Sequence, residues 1–241
     1  MTTLSVIYQD DDCVAIDKPA GLLVHRTSLD TQATQFAMQM LRDQLQRLVY
    51  PVHRLDRATS GVLLFGFSSD IARSLTEQFA QRTTSKTYVA LVRGWCEDDG
   101  RIDLPLKDPI DERNDARKHA VEREASTRFT TLERFEIPLS DGRHPTSRYS
   151  LLELKPKTGR RHQIRRHLKH VSHPIVGDTT HGDHRHNKRL REKLSLHRML
   201  LAATELCLTH PNTHEPLHLR APRGAEFDML LDQLRSLDSS D

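Results

Sequence analysis

The feature that most constrains this chain is the passage from Val52-His53-Arg54-Leu55-Asp56-Arg57-Ala58-Thr59-Ser60-Gly61 into Val62-Leu63-Leu64-Phe65. Four consecutive apolar residues entered through Thr-Ser-Gly predict a buried strand that starts just after a tight turn. Asp56 then sits on a loop above a strand, and a loop held by a rigid element is where chemistry is usually placed. Arg54 and Arg57 flank it, and cationic neighbours favour the charged carboxylate. An ionised aspartate can act as a nucleophile or as a proton acceptor. A lone Asp–Arg pair at a turn is more often a structural ion pair, so the rest of the chain has to decide between these readings.

At 241 residues the chain suits one sizeable domain or two small ones, and a globule of this size buries roughly 70 to 75% of its unfolded surface. Cys13, Cys96 and Cys207 are odd in number and lack Cys-x-x-Cys spacing, which argues against a disulfide framework or a thiolate metal site. No apolar run approaches the length of a membrane span, and Asp10, Asp11 and Asp12 fall where a signal peptide would need its apolar stretch. A soluble, cytoplasmic protein is expected. The net charge of +3 is uninformative, but its distribution is not: Lys155 to Arg198 holds thirteen Lys or Arg against Asp178, Asp183 and Glu192. That local excess of ten leaves the remainder of the chain at −7. Such a stripe suits a nucleic-acid binder, although a charge run is often just a solvated face.

In chain order, Leu4 to Tyr8 and Cys13 to Ile16 read as short strands, closed by Lys18-Pro19-Ala20-Gly21. Thr31 is an expected N-cap for a helix carrying Ala37, Leu41, Leu45 and Leu48 down to Pro51. Ser69 or Asp70 is expected to cap a second helix with Ile71, Leu75 and Phe79 on one face. Lys86 to Val92 alternates as a strand with Lys86, Tyr88, Ala90 and Val92 on one side. Residues 97 to 124, dense in charge, read as a loop. Strands follow at Ser126 to Ile137 and Arg148 to Leu154, about a turn near Asp141-Gly142. After Thr158-Gly159, Ile164, Leu168 and Val171 mark a helix whose N-terminal turn is open to phosphate. Strands at Glu205 to Thr209 and Leu217 to Arg220, then a helix with Phe227, Leu230, Leu231 and Leu234, end the chain. Strands linked mainly to strands predict an α+β domain on a mixed, largely antiparallel sheet.

His53-Arg54-Leu55-Asp56-x-x-Thr59-Ser60-Gly61 resembles the catalytic motif of the RluA-family pseudouridine synthases, with Asp56 at the nucleophile's position. Lys18-Pro19-Ala20-Gly21 matches the family's Lys-Pro-x-Gly, and Lys86-Thr87-Tyr88 its Lys-x-Tyr. Thr158-Gly159-Arg160-x-His162-Gln163-Ile164-Arg165-x-His167-Leu168, followed by His173 to Asp178, resembles its third motif. Leu22 to Arg26, with Leu29-Asp30, is similar to the TruC-type branch, which modifies position 65 of tRNA. The resemblance spans nearly the whole chain and implies an RNA pseudouridine synthase that needs no cofactor and no metal. It implies catalysis by Asp56, Tyr88 and Ile164 sandwiching the base, Arg54 bracing the vacated stack, and Arg165 as the ion-pair partner of Asp56. A bidentate pair would fix Asp56 in one rotamer. The expected organisation is one catalytic domain over 1–241, monomeric, with no N-terminal RNA-binding domain, and with tRNA favoured over rRNA. The sequence departs from the pattern at Ala202, where His is common, and at His181, where Tyr is usual.

Three rival readings fit parts of the sequence. A non-catalytic RNA binder keeps the basic stripe but has no use for Asp56, and a glycoside hydrolase wants two facing carboxylates. Fifteen histidines invite a metal, through His181, His184 and His186 or through His167, His170 and His173, but both sets lack a catalytic Glu and thiolates.

Overall fold

Unbroken apolar runs such as Val62-Leu63-Leu64-Phe65 require a sheet covered on both faces. In the computed structural model, which describes residues 3–25, 34–107, 121–140 and 142–238, the strands are β1 (Ser5–Gln9), β2 (Cys13–Lys18), β3 (Tyr50–Pro51), β4 (Ser60–Gly66), β5 (Ser85–Arg93), β6 (Asp99–Asp103), β7 (Leu106–Lys107), β8 (Glu122–Arg123), β9 (Ser126–Ile137), β10 (Ser147–Pro156), β11 (Leu201–Thr209) and β12 (Pro216–Arg220). The helices are α1 (Ala37–Leu45), α2 (Ser69–Ala80), α3 (Gln163–His170), α4 (His184–Leu194) and α5 (Ala225–Leu237). The large sheet runs β1-β2-β4-β11-β5-β10-β9-β6, with β12 on β11 and β3 on β4, while β7 and β8 form a separate pair. β4 and β11 pair in parallel. The other strand pairs among the described residues are antiparallel, so the α+β architecture is as expected.

Both faces of the central strands are buried, and each face has its own cover. Val62 and Leu64 of β4 pack with Leu75 of α2 and with Leu217 and Leu219 of β12. Leu63 and Phe65, one residue out of phase, pack with Leu41 of α1. β5 repeats the arrangement: Val89 and Leu91 meet Phe227 and Leu231 of α5, whereas Ala90 and Val92 meet Ile164 and Leu168 of α3. Full burial of side chains like these contributes roughly 1.5 to 3 kcal/mol each. Tyr88 lies on the α3 face, which points it toward the loop after β3.

Several local expectations change. Helix α1 ends at Leu45 because Gln46 turns left-handed at φ 51°, and Leu48, expected on its buried face, is 62% exposed. Helix α1 begins at Ala37 with Phe36 as its N-cap, so Thr31 does not cap it; Thr31, part of the Leu22 to Asp30 match and Asp141 lie outside the described residues. Ser68, not Ser69 or Asp70, caps α2 by accepting from the Ile71 N–H at 3.2 Å. Val171 is the C-cap of α3 and is exposed, so it does not extend the buried stripe. The expected loop at 97 to 124 contains β6, an edge strand on β9 that buries Ile102 and turns its charged residues outward, as well as β7 and β8. Helix α4 was not expected. Asp183 caps it by accepting from the His186 N–H at 3.0 Å, and Leu190 packs into the core.

Candidate active site

The loop over β4 is held from below and from the side. Gly61 sits at φ +108°, and a Cβ there would lie 2.1 Å from the Ala203 carbonyl oxygen, so the close parallel contact of β4 with β11 requires glycine. His53 Nε2 accepts the Leu64 N–H at 3.1 Å, and its ring stacks on Phe79 at 5.0 Å between centroids. Burial pushes the His53 pKa down to about 3, which matches a neutral, accepting ring. Lys18, with no exposed surface, donates to the carbonyls of Pro19, Leu22 and Arg57 at 2.8, 2.9 and 3.3 Å. Burial and then Arg198 lower its pKa to about 7, against the opposing pull of Asp56 and Asp17. The Gly21 N–H also donates to the Arg57 carbonyl at 2.8 Å. The Lys-Pro-x-Gly turn is therefore the bracket of the Asp56 loop.

Arg165 reaches this loop from the first turn of α3. Gln163 anchors that turn: its Oε1 accepts from Thr158 Oγ1 at 2.6 Å and its Nε2 donates to Ser126 O at 3.0 Å. Arg165 Nη1 donates to Asp56 Oδ2 at 3.0 Å. Its bidentate partner, however, is not Asp56. Arg165 Nε and Nη2 donate to Asp178 Oδ2 and Oδ1 at 2.7 and 2.8 Å, which corrects the expected geometry. Asp178 is 1% exposed and also accepts the Thr180 and His181 N–H groups at 2.8 and 2.9 Å. Burial raises its pKa, but these bonds outweigh that effect and hold it below the ordinary carboxylate value. Asn187 of α4 fixes the segment by donating to the Asp178 carbonyl at 3.0 Å and accepting the Gly177 N–H at 3.0 Å.

Two cavities meet at Asp56. One of about 290 Å³ is lined by Arg54, Asp56, Tyr88, Ile164 and Arg165, all five residues singled out from the sequence, together with Lys86 and Leu201. Ile164 is buried, Tyr88 half-buried and Arg54 exposed. Burial and the charge of Asp56 push the Tyr88 phenol well above its ordinary pKa, so it stays neutral. Burial lowers Lys86 to about 8, and its Nζ donates to Thr158 O at 3.3 Å. The second cavity, of about 850 Å³, is shared by Asp56, His162 and Arg165 with Arg57, Arg191, Arg198 and Arg223. A small pocket with an aromatic and an aliphatic wall can hold a flat ring. A large arginine-lined one suits phosphates.

A family model described as RNA pseudouridylate synthase matches residues 12–170. The chain belongs to that family. Among curated relatives of this synthase, a "tRNA pseudouridine synthase C" from Vibrio parahaemolyticus is 51% identical, covering 90% of this chain and 89% of that protein. Proteins of the same name from Vibrio cholerae and Haemophilus influenzae are 50% and 46% identical, each covering 95% of this chain and 95% and 97% of theirs. The solved structure of human RNA Pseudouridylate Synthase Domain Containing 4 is 27% identical at a TM-score of 0.69, covering 96% of this chain and 93% of that one. Human RNA Pseudouridylate Synthase Domain Containing 1, at 24% identity and a TM-score of 0.70 over 99% of this chain and 97% of that one, shares the fold.

Two histidines of the weighed metal sets hydrogen-bond to the protein. His167 Nδ1 meets Thr127 Oγ1 at 3.0 Å and Nε2 meets Leu104 O at 3.1 Å. His186 Nε2 meets the Tyr149 hydroxyl at 2.8 Å. Among the described residues, one set of side chains comes within metal-ligand reach: Asp10, Cys13 and His210. It is already satisfied. His210 Nδ1 accepts the Thr213 N–H at 3.1 Å, so Nε2 carries the proton and donates to Asp10 at 2.9 Å. Burial pushes the Cys13 thiol up to about 12, which keeps it protonated. The cluster clasps the first hairpin to the β11–β12 turn. No helix among the described residues is long and apolar enough to cross a membrane.

Proposed function

We propose that this synthase isomerises a uridine in tRNA, at position 65 in the T stem, with Asp56 as the catalytic carboxylate. The observation that carries the reading is Asp56 at the junction of the two cavities, held by Arg165 and still a quarter exposed. The name shared by relatives 46 to 51% identical over 90% or more of this chain supports the substrate.

A paired uridine is out of reach, so it is flipped at a cost of a few kcal/mol. The base enters the small cavity between Tyr88 and Ile164, and Arg54 braces the space it leaves. Tyr88 can stack on any base face and still offer its hydroxyl. The sugar and flanking phosphates lie along the arginines of the large cavity. Arg165 holds Asp56 in place, through Nη1 at 3.0 Å, for attack on the sugar or base, or for abstraction of a proton. Shape and phosphate contacts of this kind suit a prefolded stem.

The test is to incubate the purified protein with unmodified tRNA and with rRNA, then map pseudouridines by carbodiimide modification and primer extension. A single new stop at position 65 of tRNA is expected, and a stop confined to rRNA would overturn the substrate. Neutralising five phosphates on a duplex gives a log–log salt slope of about −4.5, so tRNA affinity is expected to fall steeply with salt.

A further inference from the structure

Arg198 and Ser60 both line the large cavity, and both keep donors to spare there. Arg198 Nη2 donates to Ser60 Oγ at 2.6 Å and Nε donates to the Met199 carbonyl at 3.2 Å. Its Nη1 has no hydrogen-bond partner among the described residues and lies against Gly224, where a Cβ would come within 3.2 Å of it. Ser60 is 4% exposed. Because its oxygen already accepts from Arg198, its own O–H has to point elsewhere, and no acceptor for it lies among the described residues.

The charge of Arg198 also differs from that of its neighbours. Arg165 pairs with Asp56 and Asp178, and Arg223 pairs with Asp228 at 2.8 Å. Arg198 touches only neutral oxygens; Glu226 and Asp17 act on it from further away, opposing the fall in pKa that burial imposes. Burying a cation without a contacting anion is costly, and an anion that docks on it recovers part of that cost. Neither acid fills the role: Glu226 is engaged by the His197 N–H at 3.3 Å, and burial raises the pKa of Asp17 against the pull of Arg198 and Lys18. The cavity lining as a whole has five arginines against three acids, a net charge of +2 with the histidines left aside.

We propose that the Ser60 hydroxyl and Arg198 Nη1 together hold one backbone phosphate adjoining the target uridine, and that this contact sets the reacting sugar over Asp56. Ser60 begins β4, four residues after Asp56, and the turn between them is closed by the Thr59 N–H donating to the Asp56 carbonyl at 3.0 Å. A phosphate fixed at Ser60 is thereby fixed relative to the carboxylate.

The chemistry of the two donors selects this ligand. A phosphodiester spreads one negative charge over two non-bridging oxygens, and each can accept a bond, one from the cation and one from the hydroxyl. With the base in the small cavity and the sugar at Asp56, the chain of the RNA continues on the side of the large cavity, where Ser60 and Arg198 stand.

The inference rests on the tRNA reading, and its test separates the two. tRNA is assembled by ligation with one neutral methylphosphonate 5′ to the target uridine, 3′ to it, or in the anticodon loop, and Kd is measured for wild type, Arg198→Met, Arg198→Lys and Ser60→Ala. With wild type, one of the two flanking substitutions is expected to weaken binding about tenfold, or about 1.4 kcal/mol, and the anticodon substitution to leave it unchanged. Arg198→Met is expected to weaken binding of unmodified tRNA by about the same factor and to lower the log–log salt slope by about 1. On the sensitive methylphosphonate it should lose at most about twofold more, the non-additivity of groups in contact. Ser60→Ala should show a smaller loss and a smaller methylphosphonate effect than wild type, and Arg198→Lys should recover part of both. A folded Arg198→Met that binds unmodified tRNA as wild type does, or that loses the full factor again on the methylphosphonate, would overturn the proposal, because a role confined to holding the loop gives additive losses. If Arg198→Met fails to fold, Ser60→Ala carries the same cycle. Wild type that forms no pseudouridine in tRNA would overturn the tRNA reading instead, and the methylphosphonates would then be placed around the uridine it modifies in rRNA.

Discussion

Asp56 and Asp178 share one guanidinium and live in different worlds. Asp178 has a side chain with no exposed surface and takes two bonds from Arg165 plus two backbone N–H groups. Asp56 keeps a quarter of its side chain exposed, takes one bond from Arg165 and leaves Oδ1 open toward two cavities. The first is a carboxylate spent on holding the arginine. The second, on the proposed function, is one the arginine holds for use. What separates them is how many of the lone pairs are already occupied: a fully bonded carboxylate has little left to offer a substrate.

Removing the shared cation tests both halves at once. Arg165→Ala strands Asp178 in the core, so it should destabilise the fold by about 4 kcal/mol, within the range for a broken buried pair, and abolish activity. Urea unfolding checks it, and a wild-type midpoint would mean that the arginine is not buried with its partner. Asp178→Asn keeps the shape but loses the charge, with an expected cost of about 3 kcal/mol and a loss of activity through misplacement of Arg165. The same variant sharpens the pH dependence. Because the folded pKa of Asp178 lies below its ordinary 3.8, its contribution is complete above that value and is lost as the pH falls through the folded pKa. The acid limb of wild-type stability should therefore be steeper than that of Asp178→Asn. Asp56→Asn should have the smallest effect on the fold, within about 1 kcal/mol, as for an accessible ion pair.

The difference between the two carboxylates also marks how far the sequence could be read. Ser126–Ile137 emerges with the expected bounds because a period of two is local. The helix carrying Phe227, Leu230, Leu231 and Leu234 is equally legible, and all four are buried. Helix α4 was hidden because its apolar content is only Leu190 and Leu194 among Arg, Lys and His, although Asp183 before it is a readable cap. β6 looked like a loop because an edge strand with one covered residue shows no alternation. At the site, Arg54, Asp56, Tyr88, Ile164 and Arg165 lie in recognisable motifs and line one cavity. Asp178 was visible in the third motif but not its role, since the choice of bidentate partner is made by the tertiary approach of α3 and the 177–178 turn. The pairing of His162 with His181 is of the same kind: nineteen residues separate them, with no local signal.

On the proposed function Asp56 is the working carboxylate, and Asp178 supports it through the shared Arg165. Asp56→Asn, assayed for pseudouridine formation in tRNA alongside tRNA binding and urea unfolding, isolates that role. The variant should form no product, unfold at about the wild-type midpoint and bind tRNA within about tenfold of wild type, which corresponds to about 1.4 kcal/mol. Pseudouridine formed by a clean preparation of Asp56→Asn would contradict it.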